Sequence, residues 1–332
     1  MYLFFFGFTG LVGSNILQYF INKNYFNKLF LFTRRKYLTN EDLAKLNNIK
    51  IVSYSDFNEL NSNVKEIINS NSVNPKELIV FNFVGESIFG FVNKYKYQRI
   101  YNSRIEFNRN LVRLFNEINF SPYIYFSASA IGYYSNLEDI ENEIDEDYFN
   151  RNNILNSSLM SRLCFEWERV TYELINSNVF NLRLGVVLDK QALFVKLFKL
   201  NSYLGFGLTF DDPFLPWVYS KEISLIIDFL ISYVKENNLN NIKQAVNVVN
   251  PNILRFSEFL KFLINKYRKL PFSIVIKIPR SFIKFPLKLF MKEYYEIPFS
   301  LLVSLNVKPK FLLTKGYIFK YNLLENILND NQ

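Results

Sequence analysis

The segment YLFFFGFTGLVGSNILQYFI, residues 2–21, decides the fold of this chain. It opens with an apolar, aromatic run over residues 2–6, which is typical of a short buried strand. It ends with apolar side chains at helical spacing, of which Ile16, Leu17 and Phe20 are examples. A strand, a glycine turn and a helix in this order form the phosphate-binding start of a Rossmann unit.

Three of the ten glycines of the chain occupy this turn at three-residue spacing. We expect Gly7 to allow the tight turn, Gly10 to let the backbone approach a pyrophosphate, and Gly13 to let the helix lie close to the strand. The free N–H groups and positive end of the helix would then face the phosphates. Glycines in a loop can also serve turn geometry alone, but the flanking strand and helix favour a dinucleotide site. Its predicted residues are Gly7, Thr9, Gly10, Leu11, Val12 and Gly13.

The next predicted strand, residues 28–33, is followed by Arg34 and Arg35. In an NAD site an acidic residue here binds the ribose 2′-hydroxyl, whereas a basic residue suits a 2′-phosphate. Arginine matches a phosphate because its planar fork presents several donors. We therefore expect NADP(H) to be preferred over NAD(H). The alternative is a solvated charge cluster at a strand end.

Strands and helices alternate along residues 1–250. Strands are predicted at 49–54, 78–84, 123–127, 180–188 and 245–249, and helices at 41–47, 59–70, 98–118 and 158–175. Such alternation predicts an α/β fold, a doubly wound parallel Rossmann sheet. We assign residues 1–250 to this NADP(H)-binding domain, and expect residues 190–216 to contribute to the substrate cleft.

Residues 251–332 form a second predicted region, a small and mainly helical C-terminal domain. They carry 14 Lys and Arg against 5 Asp and Glu, whereas residues 1–250 carry 25 of each. On one helix, a basic stripe would be formed by Lys277, Arg280, Lys284, Lys288 and Lys292. Pro286 is expected to interrupt it. We favour a solvated face, with an anionic membrane surface as the alternative. Nucleic acid is not expected, because no recognised module accompanies the charge.

Cysteine and histidine usage excludes several classes of protein. The chain has one cysteine, Cys164, and no histidine. An internal disulfide, a zinc site and Ser-His-Asp hydrolysis are therefore not expected. No apolar run reaches the roughly 18 residues of a membrane span, and the N-terminal run has no basic leader. These features predict a cytoplasmic protein in a reducing compartment, without a metal.

Small hydroxyl residues end the fifth predicted strand, in the segment FSASAIGYY at residues 126–134. Ligands of doubly wound sheets bind at the carboxyl ends of the strands. We therefore expect Ser129, with Ser127 nearby, to hydrogen-bond a substrate carbonyl or alcohol. Close packing under a neighbouring helix is the alternative role of these small residues.

Several segments follow one family pattern in order along the chain. NFVGE at 82–86 is similar to N-L-A-G-E, NSRI at 102–105 to D-S-R-I, SASAIGYY at 127–134 to S-A-S-A-V-G-Y-Y, RLGVVL at 183–188 to R-x-G-V-V-L, and VNVVNPN at 246–252 to V-N-L-x-A-P-N-P. With the G-x-x-G-x-x-G turn, the chain resembles the atypical extended short-chain dehydrogenase/reductases called epimerase family proteins. The resemblance implies an NAD-dependent epimerase/dehydratase domain, NADP(H) binding through residues that include Phe83, Val84 and Gly85, and oxidoreductase activity on an unidentified substrate.

The chain departs from the wider superfamily at the expected proton donor. Where that superfamily has its usual tyrosine and lysine, this chain has Leu159 and Arg162. Arg162 is expected to bind ribose or phosphate, since a guanidinium does not exchange protons. Tyr133 or Tyr134 is the alternative acid. The leading hypothesis is an NADP(H)-dependent oxidoreductase acting on a small carbonyl or alcohol, and the alternative is a catalytically impaired NADP(H)-binding sensor or scaffold.

Overall fold

The computed structural model of the protein describes residues 1–24, 26–35, 48–148 and 158–328. The helix predicted at 41–47 lies outside these residues. The described strands are β1 (Tyr2–Phe6), β2 (Lys28–Thr33), β3 (Ile49–Ser53), β4 (Leu78–Asn82), β5 (Ile124–Ala130), β6 (Ile140–Ile144), β7 (Asn178–Leu184), β8 (Val186–Leu188), β9 (Phe206–Phe210), β10 (Phe214–Leu215), β11 (Trp217–Tyr219), β12 (Lys243–Val248), β13 (Leu254–Arg255), β14 (Ile274–Ile278) and β15 (Leu305–Val307). The described α-helices are α1 (Leu11–Lys23), α2 (Phe57–Ser70), α3 (Lys94–Tyr101), α4 (Phe107–Glu117), α5 (Leu159–Tyr172), α6 (Leu193–Tyr203), α7 (Ser220–Glu236), α8 (Phe256–Tyr267), α9 (Ser281–Met291), α10 (Glu296–Phe299), α11 (Lys310–Thr314) and α12 (Leu324–Leu328).

Seven strands form one sheet in the order β12-β7-β5-β4-β1-β2-β3. Every pair of neighbours is parallel. The chain proceeds from β1 toward one edge of the sheet and from β4 toward the other. A crevice therefore opens between the carboxyl ends of β1 and β4, where a doubly wound sheet binds its ligand. The predicted α/β fold is confirmed.

Alternating aromatic residues build the core on both faces of this sheet. Phe4, Phe6 and Phe32 pack on one face, and the rings of Phe6 and Phe32 stack 4.5 Å apart. On the other face, three phenylalanines from successive strands form a stack with centroid separations of 5.6 Å: Phe81, Phe126 and Phe180. Because side chains of a strand alternate between faces, one phenylalanine-rich strand supplies both layers.

Gly185 divides the strand that the sequence predicted at 180–188. A Cβ atom at this position would lie 2.6 Å from the carbonyl oxygen of Pro216, and the Val186 N–H donates a hydrogen bond to that same oxygen. The chain therefore leaves the main sheet after β7, and β8 pairs with β11. The prediction of one continuous strand was wrong because the apolar run continues across the break.

The helix predicted at 98–118 starts earlier, at Lys94, and is not uniform. A π-helical segment, Asn102–Glu106, lies between α3 and α4. Segments of this kind inside α-helices are often found at functional sites. Arg104 lies in the middle of this one.

The mainly helical residues 251–328 are joined to earlier parts of the chain by short strands. β13 pairs with β10, β14 with β9, and β15 with β6. The C-terminal end is also fixed to α7, because the buried Glu222 carboxylate accepts hydrogen bonds from the Tyr317 hydroxyl and from the N–H groups of Lys320 and Tyr321. The domain boundary at residue 250 stays a prediction, since strands on both sides of it share these sheets.

The predicted basic stripe is not a feature of one helix. Lys277 lies in β14, whereas Lys284 and Lys288 lie in α9. Pro286 was expected to interrupt the helix, but it lies inside α9. The proline removes one backbone N–H donor from the helix, but the helix continues past it to Met291. Within the described part of the chain, no helix has the length and apolar character needed to cross a membrane.

Candidate functional site

A cleft of about 510 Å³ opens at the carboxyl ends of the central strands. This volume is within the range of roughly 300–1,000 Å³ found for small-molecule sites. One end of the cleft is formed by the glycine turn and by residues 83–89, and its middle by residues 128–132. Residues 192–194, 214–216 and 300–301 line its apolar far side. The cleft therefore combines the Rossmann sheet with the region expected to hold a second ligand.

Gly7 and Gly13 are required by contacts within the turn. Gly7 has φ +83°, and a Cβ there would lie 2.4 Å from the backbone carbon of Phe83. A Cβ on Gly13 would lie 2.3 Å from the carbonyl oxygen of Gly7. At Gly10, by contrast, the nearest atom would be 3.6 Å away. The position that a side chain of residue 10 would occupy is therefore open, and a ligand can approach the backbone closely there.

The N-terminus of α1 is free of side-chain competition. Its N-cap is Gly10, no side chain caps the helix, and its first turn has no acidic residue. The first backbone N–H groups and the positive end of the helix dipole therefore remain available to an anion. Leu11, Val12 and Gly13 line the cleft at this point.

Arg104 brings a second positive charge into the cleft lining. Its guanidinium lies 5.1 Å from the ring of Trp167 and against Gly85, where a Cβ would be 3.3 Å from it. Its hydrogen bonds are long, at 3.5 Å to the Ile100 carbonyl and 3.4 Å to the Ser103 hydroxyl. Burial lowers the pKa of Arg104 to about 10, so the group stays charged at neutral pH. Among the described residues it forms no ion pair with a carboxylate, and this leaves its charge available to a bound anion.

Ser129 belongs to a buried network that crosses three elements. Its hydroxyl donates a hydrogen bond to Glu168 Oε1 at 2.6 Å. The Arg183 guanidinium donates to both oxygens of the same carboxylate, at 2.9 and 2.8 Å. Arg183 also donates to the Tyr134 hydroxyl at 2.7 Å. Ser129 lines the cleft, and its orientation is fixed because its proton is held by Glu168.

The other predicted catalytic residues lie behind Ser129, away from the cleft. Ser127 is fully buried and donates to the carbonyl of Ala128. Tyr134 is also fully buried, and its hydroxyl donates to Asn247 Oδ1 at 2.7 Å. The Tyr133 ring lies under the Arg183 guanidinium at 3.7 Å. Burial raises the pKa of both phenols, and none of these three residues is in the described cleft lining.

The predicted cofactor residues are divided between the cleft and the surface. Seven of them line the cleft together with Gly7: Gly10, Leu11, Val12, Gly13, Phe83, Val84 and Gly85. Thr9 is exposed beside the turn. Arg34 and Arg35 are exposed after β2, and Arg162 is exposed on α5. Arg104, Glu168 and Arg183 were not predicted to have a role in the site. The signal that could have revealed one of them is an arginine inside an apolar strand, as in β7, which indicates a buried partner.

Substituting the two glycines at the start of α1 should separate folding from ligand binding. We expect Gly13→Ala to destabilise the protein by several kcal/mol, because its Cβ would collide with rigid backbone. Gly10→Ala should lower the free energy of unfolding by less than about 1 kcal/mol. It should weaken nucleotide binding by tenfold or more, because its methyl group enters the space that the ligand would occupy. Urea unfolding and nucleotide titration measure the two effects. Unchanged binding by Gly10→Ala would remove the turn from the ligand site.

The same substitution at the buried Arg183 and at the partly buried Arg104 should have different consequences for stability. Arg183→Met leaves the Glu168 carboxylate buried without its partner, and we expect a loss of about 3–5 kcal/mol in unfolding free energy. Arg104→Met removes an unpaired cation, so the ligand-free protein should be unchanged or slightly more stable. Urea unfolding of both variants without ligand tests this contrast. Equal losses would mean that Arg104 serves the fold and not a ligand.

The comparisons with known proteins agree with this architecture. No protein-family model matches the chain. It is 27% identical over 222 residues to epimerase family protein SSP1921 of Staphylococcus saprophyticus, a match that spans 65% of this chain and 66% of that relative, just under two thirds of its length. The solved structure of the human epimerase family protein SDR39U1 with NADPH superposes with a TM-score of 0.70 at 19% identity, covering 98% of this chain and 97% of that one.

A second solved structure has the same fold. The Bordetella bronchiseptica enzyme WbmG, in complex with NAD, superposes with a TM-score of 0.66 at 12% identity, covering 97% of this chain and 90% of that one. At such identities the two structures establish the fold alone. The chain is thus similar in sequence to the epimerase family proteins, and it has the Rossmann fold of the solved epimerase family protein SDR39U1 and of WbmG.

Proposed function

We propose that this protein is an NADP(H)-dependent oxidoreductase, or epimerase-like enzyme, that acts on a small carbonyl or alcohol. The observation that carries the proposal is the uncapped N-terminus of α1, which opens through Gly10 into the same cleft that Ser129 lines. A phosphate site and a fixed hydroxyl in one cleft are what hydride transfer beside a bound dinucleotide requires.

The described residues fit a nicotinamide dinucleotide. The N–H groups of Leu11 and Val12 would hold its pyrophosphate, and residues 83–85 would lie along its length. A bound nicotinamide dinucleotide would supply or accept a hydride. Related structures with NADPH and with NAD support this assignment of the cofactor. The preference for the phosphorylated form rests on Arg34 and Arg35, which follow β2 and are exposed.

Ser129 would orient the substrate as a hydrogen-bond acceptor. Its own hydrogen is donated to Glu168, so its oxygen lone pairs remain for a substrate hydroxyl. Glu86 is the acidic side chain in the described lining of the cleft, and it would exchange the accompanying proton with solvent. The apolar far side would exclude water around the reacting carbon, which strengthens electrostatic interactions there. Arg104 would balance a negative group of a bound molecule.

Removing the two arginines after β2 tests the cofactor claim without a known substrate. We expect Arg34→Ala with Arg35→Ala to weaken NADPH binding by tenfold or more and to leave NADH binding within about twofold, because only NADPH carries the 2′-phosphate. Isothermal titration of both nucleotides measures the change. Arg113→Ala with Arg169→Ala, which removes two exposed arginines outside the cleft, is the control for net charge. Equal losses for both nucleotides would contradict 2′-phosphate recognition.

A second candidate function is a cofactor-binding sensor or scaffold without turnover. Two observations favour it. The described lining of the cleft contains neither tyrosine nor lysine, and the start of α5 carries Leu159 and Arg162. Such a protein would bind NADPH and change its affinity for a partner, with no chemistry at Ser129.

Turnover distinguishes the two candidates. The oxidoreductase should oxidise NADPH with at least one member of a panel of small hydroxyaldehydes and hydroxyketones, whose hydroxyl can donate to Ser129. Ser129→Ala should reduce that rate by about tenfold or more, because the substrate hydroxyl loses its orienting acceptor. Absorbance at the NADPH band measures the rate. Tight NADPH binding with no oxidation across the panel would instead support the sensor.

A further inference from the structure

Helix α9 presents its apolar side chains to solvent. Phe282 and Phe285 are each 72% exposed, Leu289 is 64% exposed and Phe290 is 70% exposed, whereas Met291 at the end of the helix is buried. Phe282, Phe285 and Leu289 are spaced by three and four residues and therefore form one stripe on the helix. Phe290 follows Leu289 and widens the exposed apolar side of the helix. Together they leave on the order of 500 Å² of apolar surface in water. That is as large as the largest patches of ordinary monomers, which are often functional.

The strand that precedes this helix extends the apolar surface. Ile274 and Ile276 of β14 are 50% and 42% exposed. They alternate with Val275, which packs against the cluster around α8. The outward face of β14 is therefore apolar although its inward face is already covered. Helix α9 and the outward face of β14 together form the apolar face.

Three lysines without a described carboxylate partner accompany the apolar face, and one of them, Lys284, lies over the ring of Phe299. Lys277 forms a salt bridge with Asp212. Arg280 forms salt bridges with Asp139 and Asp211. Lys284, Lys288 and Lys292, by contrast, have no carboxylate partner among the described residues, and all three are exposed. Exposed apolar side chains with adjacent unpaired lysines match the layered chemistry of a lipid surface, in which anionic headgroups cover acyl chains.

We propose that the apolar face binds the surface of an anionic lipid bilayer. Helix α9 would lie in the plane of the interface, with its phenylalanines among the upper acyl chains and its lysines at the headgroups. An eleven-residue helix is about 16 Å long, too short to cross a hydrocarbon core of about 30 Å. A second copy of the chain fits this face less well, because a symmetric contact would bring two rows of unpaired lysines together. The inference is independent of the cofactor and of any reaction.

Vesicle co-sedimentation of the full chain tests the proposal. We expect binding to vesicles of phosphatidylcholine with phosphatidylserine, and at least tenfold weaker binding to phosphatidylcholine alone. High salt should weaken binding, because screening shortens the Debye length from about 10 Å at 0.1 M to about 3 Å at 1 M. Phe282→Ser, Phe285→Ser and Phe290→Ser combined should reduce binding at least tenfold, as should Lys284→Gln, Lys288→Gln and Lys292→Gln combined.

Matched variants control for composition and folding. Phe91→Ser, Tyr95→Ser and Ile318→Ser replace three exposed residues away from the apolar face, and Lys65→Gln, Lys76→Gln and Lys94→Gln remove three other exposed lysines. Both control sets should bind vesicles like the wild type, and all variants should keep the wild-type melting temperature. No binding by the wild type, or unchanged binding by the phenylalanine variant, would overturn the proposal. So would a wild-type dimer that the phenylalanine variant converts to a monomer without any vesicle binding, since that result assigns the face to a second copy.

Discussion

The contact between Gly7 and the backbone after β4 is the constraint on which the cleft depends. Gly7 carries a positive φ and touches the carbonyl group of Phe83, while Gly13 brings α1 against Gly7 itself. The side chain of Asn82 reinforces the same place, because it accepts a hydrogen bond from the Val84 N–H and donates one to Asn108. The ends of β1 and β4 and the start of α1 are thereby held in van der Waals contact. The space beside Gly10 remains open for a ligand.

The buried ion pair between Glu168 and Arg183 organises the opposite wall. It joins α5 to β7 and, through Ser129 and Tyr134, to β5 and the turn after it. A buried pair of this kind contributes little net stability, but removing one partner is costly because the other remains charged. The serine that faces the cleft is therefore held in place by a network that cannot rearrange cheaply.

Features that depend on short stretches of sequence were predicted correctly. The β1-turn-α1 element and the strand at 28–33 follow from apolar runs and glycine spacing, and the structure has them at those residues. The break at Gly185 was missed, because the clash with Pro216 involves a residue distant in sequence. Arg104, Glu168 and Arg183 acquire their roles only through neighbours on other elements. Lys277 fitted a helical spacing by chance, since Pro279 separates its strand from α9.

The attachment of residues 317–321 to Glu222 has a practical consequence for shortening the chain. The carboxylate is fully buried, and its described hydrogen bonds all come from that stretch. A truncation before Tyr317 would leave the buried Glu222 carboxylate without these hydrogen-bond donors, and a buried polar group without partners destabilises the structure around it. Residues 317–321 are thus part of the Rossmann unit's own core. A tag or fusion partner should therefore follow α12 and not interrupt this stretch.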